Sequence, residues 1–584
     1  MAFTKNATLG EILANPDARW ILEQHLPGFQ TWNDWDLSPL AKLDEVAHWA
    51  RAVGDTTPDL APLWADMAAL GTSPQARQRA EKPSTPRGLL EGTREPTVPG
   101  FAASSEQWGI AEVVLNGPAA ATAFTDVEVS ATFNSGETLV RVGGFYDGGG
   151  VYRIRFMPPS TGTWTFETSS NTPSLDGVTG RFEVTEPGER NHGKVQVKDT
   201  FHFAYQDGTP FLPVGTTAYA WTNQSRELQE QTLHTLASAP FTKIRMGVFP
   251  KSYSYNSNEP ESYAYERGAD GTWDFGRFNP TFFQNLELRI QALQDLGIEA
   301  DLILFHPYDR WGFSDMPAWA EDLYLSYVVR RLGAFRNVWW SLANEYDFMT
   351  TKTESDWERF AAVVGKEDHA GHLISIHNGA TFYDYTRPWI THCSVQRTDN
   401  YLSTENTQIW REQWGKPVVA DEVGYEGDVA EGWGNLSAQE LVRRFWEGAV
   451  RGGYVSHGET YLDPEDVIWW SKGGILKGES PDRLRFLRQL ISEAPSGHWD
   501  PRPSDWDSRT GGDDDHRIIY LGIGRPRYRS MLMPAGSAWH VDVIDTWNMS
   551  ITTLPEPVNG RMVVDLPGRE YMAIRIRRAE TNSH

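Results

Sequence analysis

Two glutamates end short apolar runs: Glu345 after Val338-Trp339-Trp340-Ser341-Leu342-Ala343-Asn344, and Glu422 after Pro417-Val418-Val419-Ala420-Asp421. Two carboxyl groups flanking an acetal can cleave it. At a separation of about 5–5.5 Å, one attacks the anomeric carbon while the other protonates the departing oxygen. The proton donor needs a pKa raised toward neutrality, which burial beside aromatic rings and a second carboxylate can supply. This chemistry requires both apolar runs to be buried strands whose ends face each other.

The surrounding sequence predicts such strands. Between about 195 and 500, strand-like runs alternate with helical segments: Leu212–Tyr219, Lys243–Phe249, Glu299–Phe305, Asn337–Asn344, Leu373–Asn378, His392–Gln396, Pro417–Val423 and Gly453–Glu459. The third to seventh are short and apolar, as strands covered on both faces should be. The clearest helix is Pro280–Leu296, with Asn279 as cap, Pro280 in the first turn and Gly297 beyond the end. Eight strands in this span predict a (β/α)8 barrel. A doubly wound open sheet would show a glycine-rich turn after its first strand, and Tyr219-Ala220-Trp221-Thr222 is not one.

In a barrel the strand ends and the loops after them carry function. They hold Tyr219 and Trp221 after the first strand, Arg245 in the second, His306 after the third, and Asn344 and Glu345 after the fourth. His377-Asn378, Gln396, Asp421-Glu422 and His457/Glu459 end the remaining four. The strand interiors read as apolar. Glu345 and Glu422 are the candidate catalytic pair. Asn344, His306, His377, Arg245, Trp221, Gln396, Tyr425, Glu459 and Trp469 are candidate substrate-binding residues. His306 and His377 could instead be core histidines satisfied by backbone. Arg245 could hold the Glu422 carboxylate or form a structural ion pair. Trp311, Trp433 and Trp470, with Trp221 and Trp469, are sugar platforms or loop core.

The two glutamate motifs resemble those of clan A glycoside hydrolases. There the fourth-strand Asn-Glu supplies an asparagine to the sugar 2-hydroxyl and a glutamate acid/base, and the seventh strand ends in the glutamate nucleophile. The resemblance therefore implies these roles for Asn344, Glu345 and Glu422. The barrel's opening, Phe203-Ala204-Tyr205-Gln206-Asp207-Gly208 to Val214-Gly215-Thr216-Thr217-Ala218-Tyr219-Ala220-Trp221, is similar to the apiosidase-like subgroup. The preceding β-domain resembles one often found in front of such barrels. Many clan members carry a tyrosine at the sixth strand end, where this chain has Gln396. Tyr401 or Tyr425 could replace it from a loop.

Residues 1–72 read as a helical module. Thr8 and Glu11 form a capping-box pattern, Ile12, Leu13, Trp20, Ile21 and Leu22 recur near helical spacing, and Ser38-Pro39 starts another helix. Residues 73–100 have a linker composition. Residues 101–190 alternate as an antiparallel β-sandwich, with Gly148–Gly150 as a hairpin turn. Residues 505–584 read as a second, smaller sandwich, and its Asp513-Asp514-Asp515 as a solvated turn. The expected fold is thus a (β/α)8 TIM barrel flanked by two β-sandwich domains, with an N-terminal helical module.

A net charge of −25 excludes nucleic acid and anionic membrane surfaces as natural partners. Cys393 is the only cysteine, so no intramolecular disulfide can form. No apolar run predicts a signal peptide or a membrane span, which points to a cytoplasmic protein. No His-x-x-x-His or paired-Cys spacing supports a metal site, and the chemistry needs no cofactor. The reading is a retaining, exo-acting glycosidase for a small or uncommon glycoside, furanosides included. A transglycosidase with the same glutamates and a catalytically silent carbohydrate-binding protein are the alternatives. The N-terminal module or the sandwiches could join copies into a homo-oligomer.

Overall fold

The computed structural model describes residues 60–69, 97–503, 508–533, 536–579 and scattered positions before residue 44. Most of the expected helical module and linker lies outside them, including Glu11, Leu13, Trp20 and Ser38-Pro39. Among the described residues there, Leu9, Ile12, Ile21, Leu22 and Leu43 share a buried cluster with Leu63, Trp64 and Met67 of the helix Ala61–Ala69.

The eight expected strands form one parallel sheet. They are β1 (Val214–Thr217), β2 (Lys243–Gly247), β3 (Glu299–Phe305), β4 (Val338–Ala343), β5 (Ile374–Ser375), β6 (Cys393–Gln396), β7 (Val418–Glu422) and β8 (Tyr454–His457). Their order around the sheet is β5-β4-β3-β2-β1-β8-β7-β6, and a parallel bridge between His377 and Ser394 joins the two ends into a barrel. β5 is two residues long rather than the expected six, and the ring there depends on side chains: the Ser375 hydroxyl donates to the His392 carbonyl at 2.6 Å.

Each barrel helix begins and ends for local reasons. The helix Pro280–Asp295 is capped by the Asn279 side chain, which accepts from the Thr281 N–H at 3.1 Å. It stops where Gly297 takes φ +72°, a conformation that costs a residue with a Cβ.

The barrel interior is not uniformly apolar. Below the strand ends, Lys243 Nζ donates to Asp301 Oδ2 (2.6 Å) and Asp421 Oδ1 (2.7 Å). Ser394 and Ser456 donate to the same Asp421. A buried charge needs such partners, and here they come from β2, β3, β6, β7 and the end of β8. Gly215 on β1 leaves room for this layer; a Cβ there would fall 2.1 Å from Ser456 Oγ. Phe203, Phe211, Trp339, Val419 and Tyr454 close the opposite end of the barrel, under a three-stranded antiparallel sheet spanning 195–211.

In front of the barrel, a four-stranded and a five-stranded sheet pack around Leu115, Phe133, Ile154, Phe156 and Trp164. The glycines at 148–150 all have positive φ and turn Phe145–Tyr146 into Val151–Phe156. After the barrel, a six-stranded sheet beginning at Asp500–Arg502 and a two-stranded sheet enclose Trp539, Val541, Val564 and Ile574.

Candidate active site

Glu422, the last residue of β7, is buried at the barrel mouth (7% exposed). The chain then turns at Gly424, φ +80°, where a Cβ would also approach Leu436 Cδ1 at 2.9 Å. That turn brings Tyr425 back beside the carboxylate. Its phenol is fully buried and is held well above its ordinary pKa by burial and then by the Glu422 charge. Three other groups bind Glu422 Oε1 directly: the Tyr219 hydroxyl, Arg245 Nη1 at 3.2 Å and His377 Nε2 at 3.2 Å. Burial pushes this carboxyl up, but His377, Arg245 and Tyr219 together outweigh it and bring its pKa down to about 2.

Glu345 follows β4 in the left-handed region, φ 48° and ψ 56°. A side chain costs about 1–2 kcal/mol there. Backbone bonds on both sides impose it: Asn344 N–H donates to the Phe305 carbonyl and Tyr346 N–H to the His377 carbonyl, each at 2.9 Å. Glu345 is 6% exposed. It accepts from Gln396 Nε2 (3.0 Å), Asn344 Nδ2 (3.1 Å) and the Tyr308 hydroxyl. Burial, and next the Glu422 charge, raise its pKa to about 7, against the lowering effects of Lys251, Tyr308 and Gln396.

The carboxylates are bridged twice. On one side the Tyr219 hydroxyl donates to Glu422 and lies 3.2 Å from Asn344 Oδ1, and Asn344 donates to Glu345. On the other, His377 Nε2 lies 3.2 Å from both Glu422 Oε1 and Gln396 Oε1, and Gln396 donates to Glu345. His377 is itself held from behind by Ser394 Oγ, which donates to Asp421 and so faces Nδ1 as an acceptor.

The expected residues thus divide. Asn344, Glu345, His377, Arg245, Gln396, Glu422 and Tyr425 converge. His306 lines the same small cavity, with Tyr219, Lys251, Tyr308 and Asn344, but its Nε2 faces the Phe249 carbonyl at 3.3 Å. Burial lowers its pKa to about 4, so it is a neutral wall residue.

Three expected residues lie apart from the carboxylates. Trp221 is fully buried, because a 3-10 turn at 221–223 directs it into the core, where its indole N–H meets Met246 Sδ at 3.4 Å. Trp469 is also core and donates to Thr216 Oγ1 at 2.9 Å. Its neighbour Trp470, pointing the other way, joins the mouth wall with Tyr219, Ile303 and Tyr425. Glu459 is drawn off by the backbone N–H groups of Lys477 and Gly478. Beyond Gly458 the chain pairs Glu459–Thr460 with Glu426–Gly427 instead of facing the mouth.

Sequence reasoning named Tyr219 at the first strand end without giving it a role, and passed over Tyr308 and Lys251. Tyr219 and Tyr308 each touch one carboxylate; the signal for Tyr308 was position, two residues past His306. Lys251 had no such signal. Its ammonium lies 3.8, 4.1 and 4.6 Å from the ring centroids of Tyr219, Tyr308 and Trp470, with no ion-pair or hydrogen-bond partner among the described residues. Cation–π attraction is its compensation, and burial lowers its pKa to about 8.

Residues 198–491 match the family described as "Apiosidase-like, catalytic domain". A glycoside hydrolase structure from Bacteroides vulgatus ATCC 8482 is 39% identical, covering 82% of this chain and 100% of that one, with a TM-score of 0.78. This chain belongs to the apiosidase-like family. It is a glycoside hydrolase with a TIM barrel, and its substrate is a carbohydrate. A family 5 glycoside hydrolase structure from the same organism shares the fold at 14% identity, covering 67% of this chain and 95% of that one (TM-score 0.54). Two domains of unknown function, DUF5060 and DUF5605, match residues 104–171 and 506–577 on either side of the apiosidase-like barrel. No curated protein matches the chain.

A cavity of about 760 Å³ lies away from this chemistry. It opens at the N-terminal ends of β3 and β4, lined by Glu106, Tyr205, Gln294, Glu299 and Arg336. TIM-barrel enzymes carry their chemistry at the C-terminal ends of the strands, so size does not locate the site.

Proposed function

We propose that the protein is a retaining glycosidase working by double displacement, with Glu422 as nucleophile and Glu345 as acid/base. The observation that carries this reading is one pair of doubly bridged carboxyls held in opposite protonation states, near 2 and near 7. In the first step Glu422 Oε attacks the anomeric carbon, the glycosidic C–O bond breaks, and the Glu345 proton passes to the leaving oxygen. In the second, Glu345, now a carboxylate, takes a proton from water; the water oxygen attacks the anomeric carbon and releases Glu422. Asn344, between Tyr219 and Glu345, is placed for the sugar 2-hydroxyl. Arg245 and His377 keep the nucleophile ionised.

Exo action on a small glycoside fits carboxylates that are less than a tenth exposed and walled by Tyr253, Tyr308, Trp433 and Trp470. The family's description favours a furanoside among the candidates. The test is a panel of p-nitrophenyl pyranosides and furanosides in both anomers, with product stereochemistry followed by NMR. Turnover with retention is expected, and inversion would remove the nucleophile role from Glu422. Glu345→Gln and Glu422→Gln should each lose most turnover, and Glu422→Gln should no longer trap a glycosyl-enzyme. Wild-type turnover in either variant would reject that residue's assignment.

A further inference from the structure

Beyond the mouth, Glu426, His457 and Glu459 bring one ligand atom each to within 4.8 Å of one another, and none is more than 1% exposed. Glu426 lies in the loop after β7, His457 ends β8, and Glu459 follows it by two residues. The spacing resembles no metal-binding motif because the three meet only through the barrel's closure.

Both carboxylates are oriented by hydrogen bonds. Glu426 accepts from Tyr461 Oη (2.9 Å), Glu479 N (2.7 Å) and Ser480 N (3.1 Å). Glu459 accepts from Lys477 N (2.5 Å) and Gly478 N (2.9 Å). Among the described residues no lysine or arginine side chain pairs with either: Lys477 Nζ turns away to Asp463 at 2.7 Å. Glu426 Oε1 accepts twice, but Glu426 Oε2 and both oxygens of Glu459 accept once each and keep a lone pair free, since a carboxylate offers about four acceptor positions. Two carboxylates side by side in a dry interior need a cation or a shared proton to compensate them.

A second, independent feature points to a cation. The His457 ring is fixed by stacking on Phe241 (4.8 Å) and by Thr216 Oγ1, 3.0 Å from Nδ1. Its Nε2 is buried, has no hydrogen-bond partner, and lies 4.0 Å from Glu459 Oε2. That gap is too long for a hydrogen bond. One ion at about 2.0–2.2 Å from each atom would span it. An Nδ1–H donated to Thr216 would leave the Nε2 lone pair free to ligate, the arrangement usual for metal-bound histidine. Gly478 covers the cluster. A Cβ there would sit 2.6 and 2.7 Å from Oε2 of Glu426 and Oε2 of Glu459, so its glycine keeps this space open.

We propose that Glu426, His457 and Glu459 bind one divalent transition cation of the Zn²⁺ or Mn²⁺ kind. One imidazole with two carboxylates suits these ions better than Ca²⁺ or Mg²⁺, which take all-oxygen shells. The ion ties the loop after β7, which carries Tyr425, to the loop after β8 and to the start of the helix Ser480–Ser492.

The test is the metal content of the full-length protein by plasma mass spectrometry, after dialysis against a chelator and reloading with ZnCl₂ or MnCl₂. One equivalent is expected on the wild type, with at least a tenfold lower content in Glu426→Gln/Glu459→Gln. Cobalt loading of the wild type should give d–d absorption bands. That second readout does not depend on the variant folding. Wild-type protein that takes up less than a tenth of an equivalent of Zn²⁺ and Mn²⁺ would overturn the proposal and leave a shared proton as the compensation. A full equivalent retained by a folded double variant would overturn it equally, by placing the metal elsewhere.

Discussion

Two glutamates of one residue type reach opposite states through their neighbours. Glu422 faces one guanidinium, one imidazole and one hydroxyl, whereas Glu345 faces amide and hydroxyl groups and the charge of Glu422 itself. Under the proposed roles, kcat/KM should be flat between the two values. It should fall below about pH 2 as the nucleophile protonates, acid unfolding permitting, and above about pH 7 as the acid loses its proton. Lys251 adds a second check. Its ammonium stabilises ionised Glu345, so Lys251→Met should raise that carboxyl's pKa and move the alkaline limb upward by on the order of one pH unit. An alkaline limb that stays put, with the variant folded, would remove Lys251 from the tuning of Glu345. The seven converging residues were legible because strand ends are marked by the apolar runs before them. Lys251 was not, because a lysine inside a long loop carries no sign that four aromatic rings will enclose it.

At the level of elements, the periodicity of apolar runs located all eight strands. It did not show that the barrel interior would be charged. Lys243, Asp301 and Asp421 come from three strands, and no local pattern links them. Lys243 is fully buried and holds both acids, so Lys243→Met removes the ammonium between them and leaves Arg245, 3.6 Å from Asp301, as the nearest remaining cation. Breaking one partner out of a buried ionic group costs about 3–5 kcal/mol. Denaturant unfolding should show a loss of that size, accompanied by reduced kcat as Asp421 releases Ser394 and, through it, His377. A variant as stable as the wild type would mean that the charges are relieved in another way. Trp221 and Trp469 illustrate the complementary limit: a tryptophan after a strand is visible in sequence, but a single turn decides whether it faces the mouth or the core.

Across the whole molecule, the front sandwich is fastened to the barrel by charge as well as by apolar contact. Arg331, fully buried on the helix Ala318–Leu332, donates to Asp147 Oδ1 at 2.6 Å and pairs with Glu287 at 2.5 Å. Arg155 of the sandwich reaches the same Glu287 at 2.6 Å, and Phe278 stacks on Tyr327 beneath them. Arg331→Met should therefore loosen the junction: calorimetry should show the wild type's transition splitting or moving down by several degrees. An unchanged profile would make the ionic contact dispensable. Among the described residues no helix is long and apolar enough to cross a membrane.

The sequence by itself determined the barrel, the β-domains on either side and the two glutamates, because each is written in local periodicity and in the residue types at the ends of buried strands. Tertiary structure alone decided the partners of those glutamates, the charged layer beneath them and the meeting of Glu426, His457 and Glu459. These depend on which distant segments the closure of the ring brings together. Side-chain contact is a property of the closed barrel, and nothing in the spacing of residues along the chain encodes it.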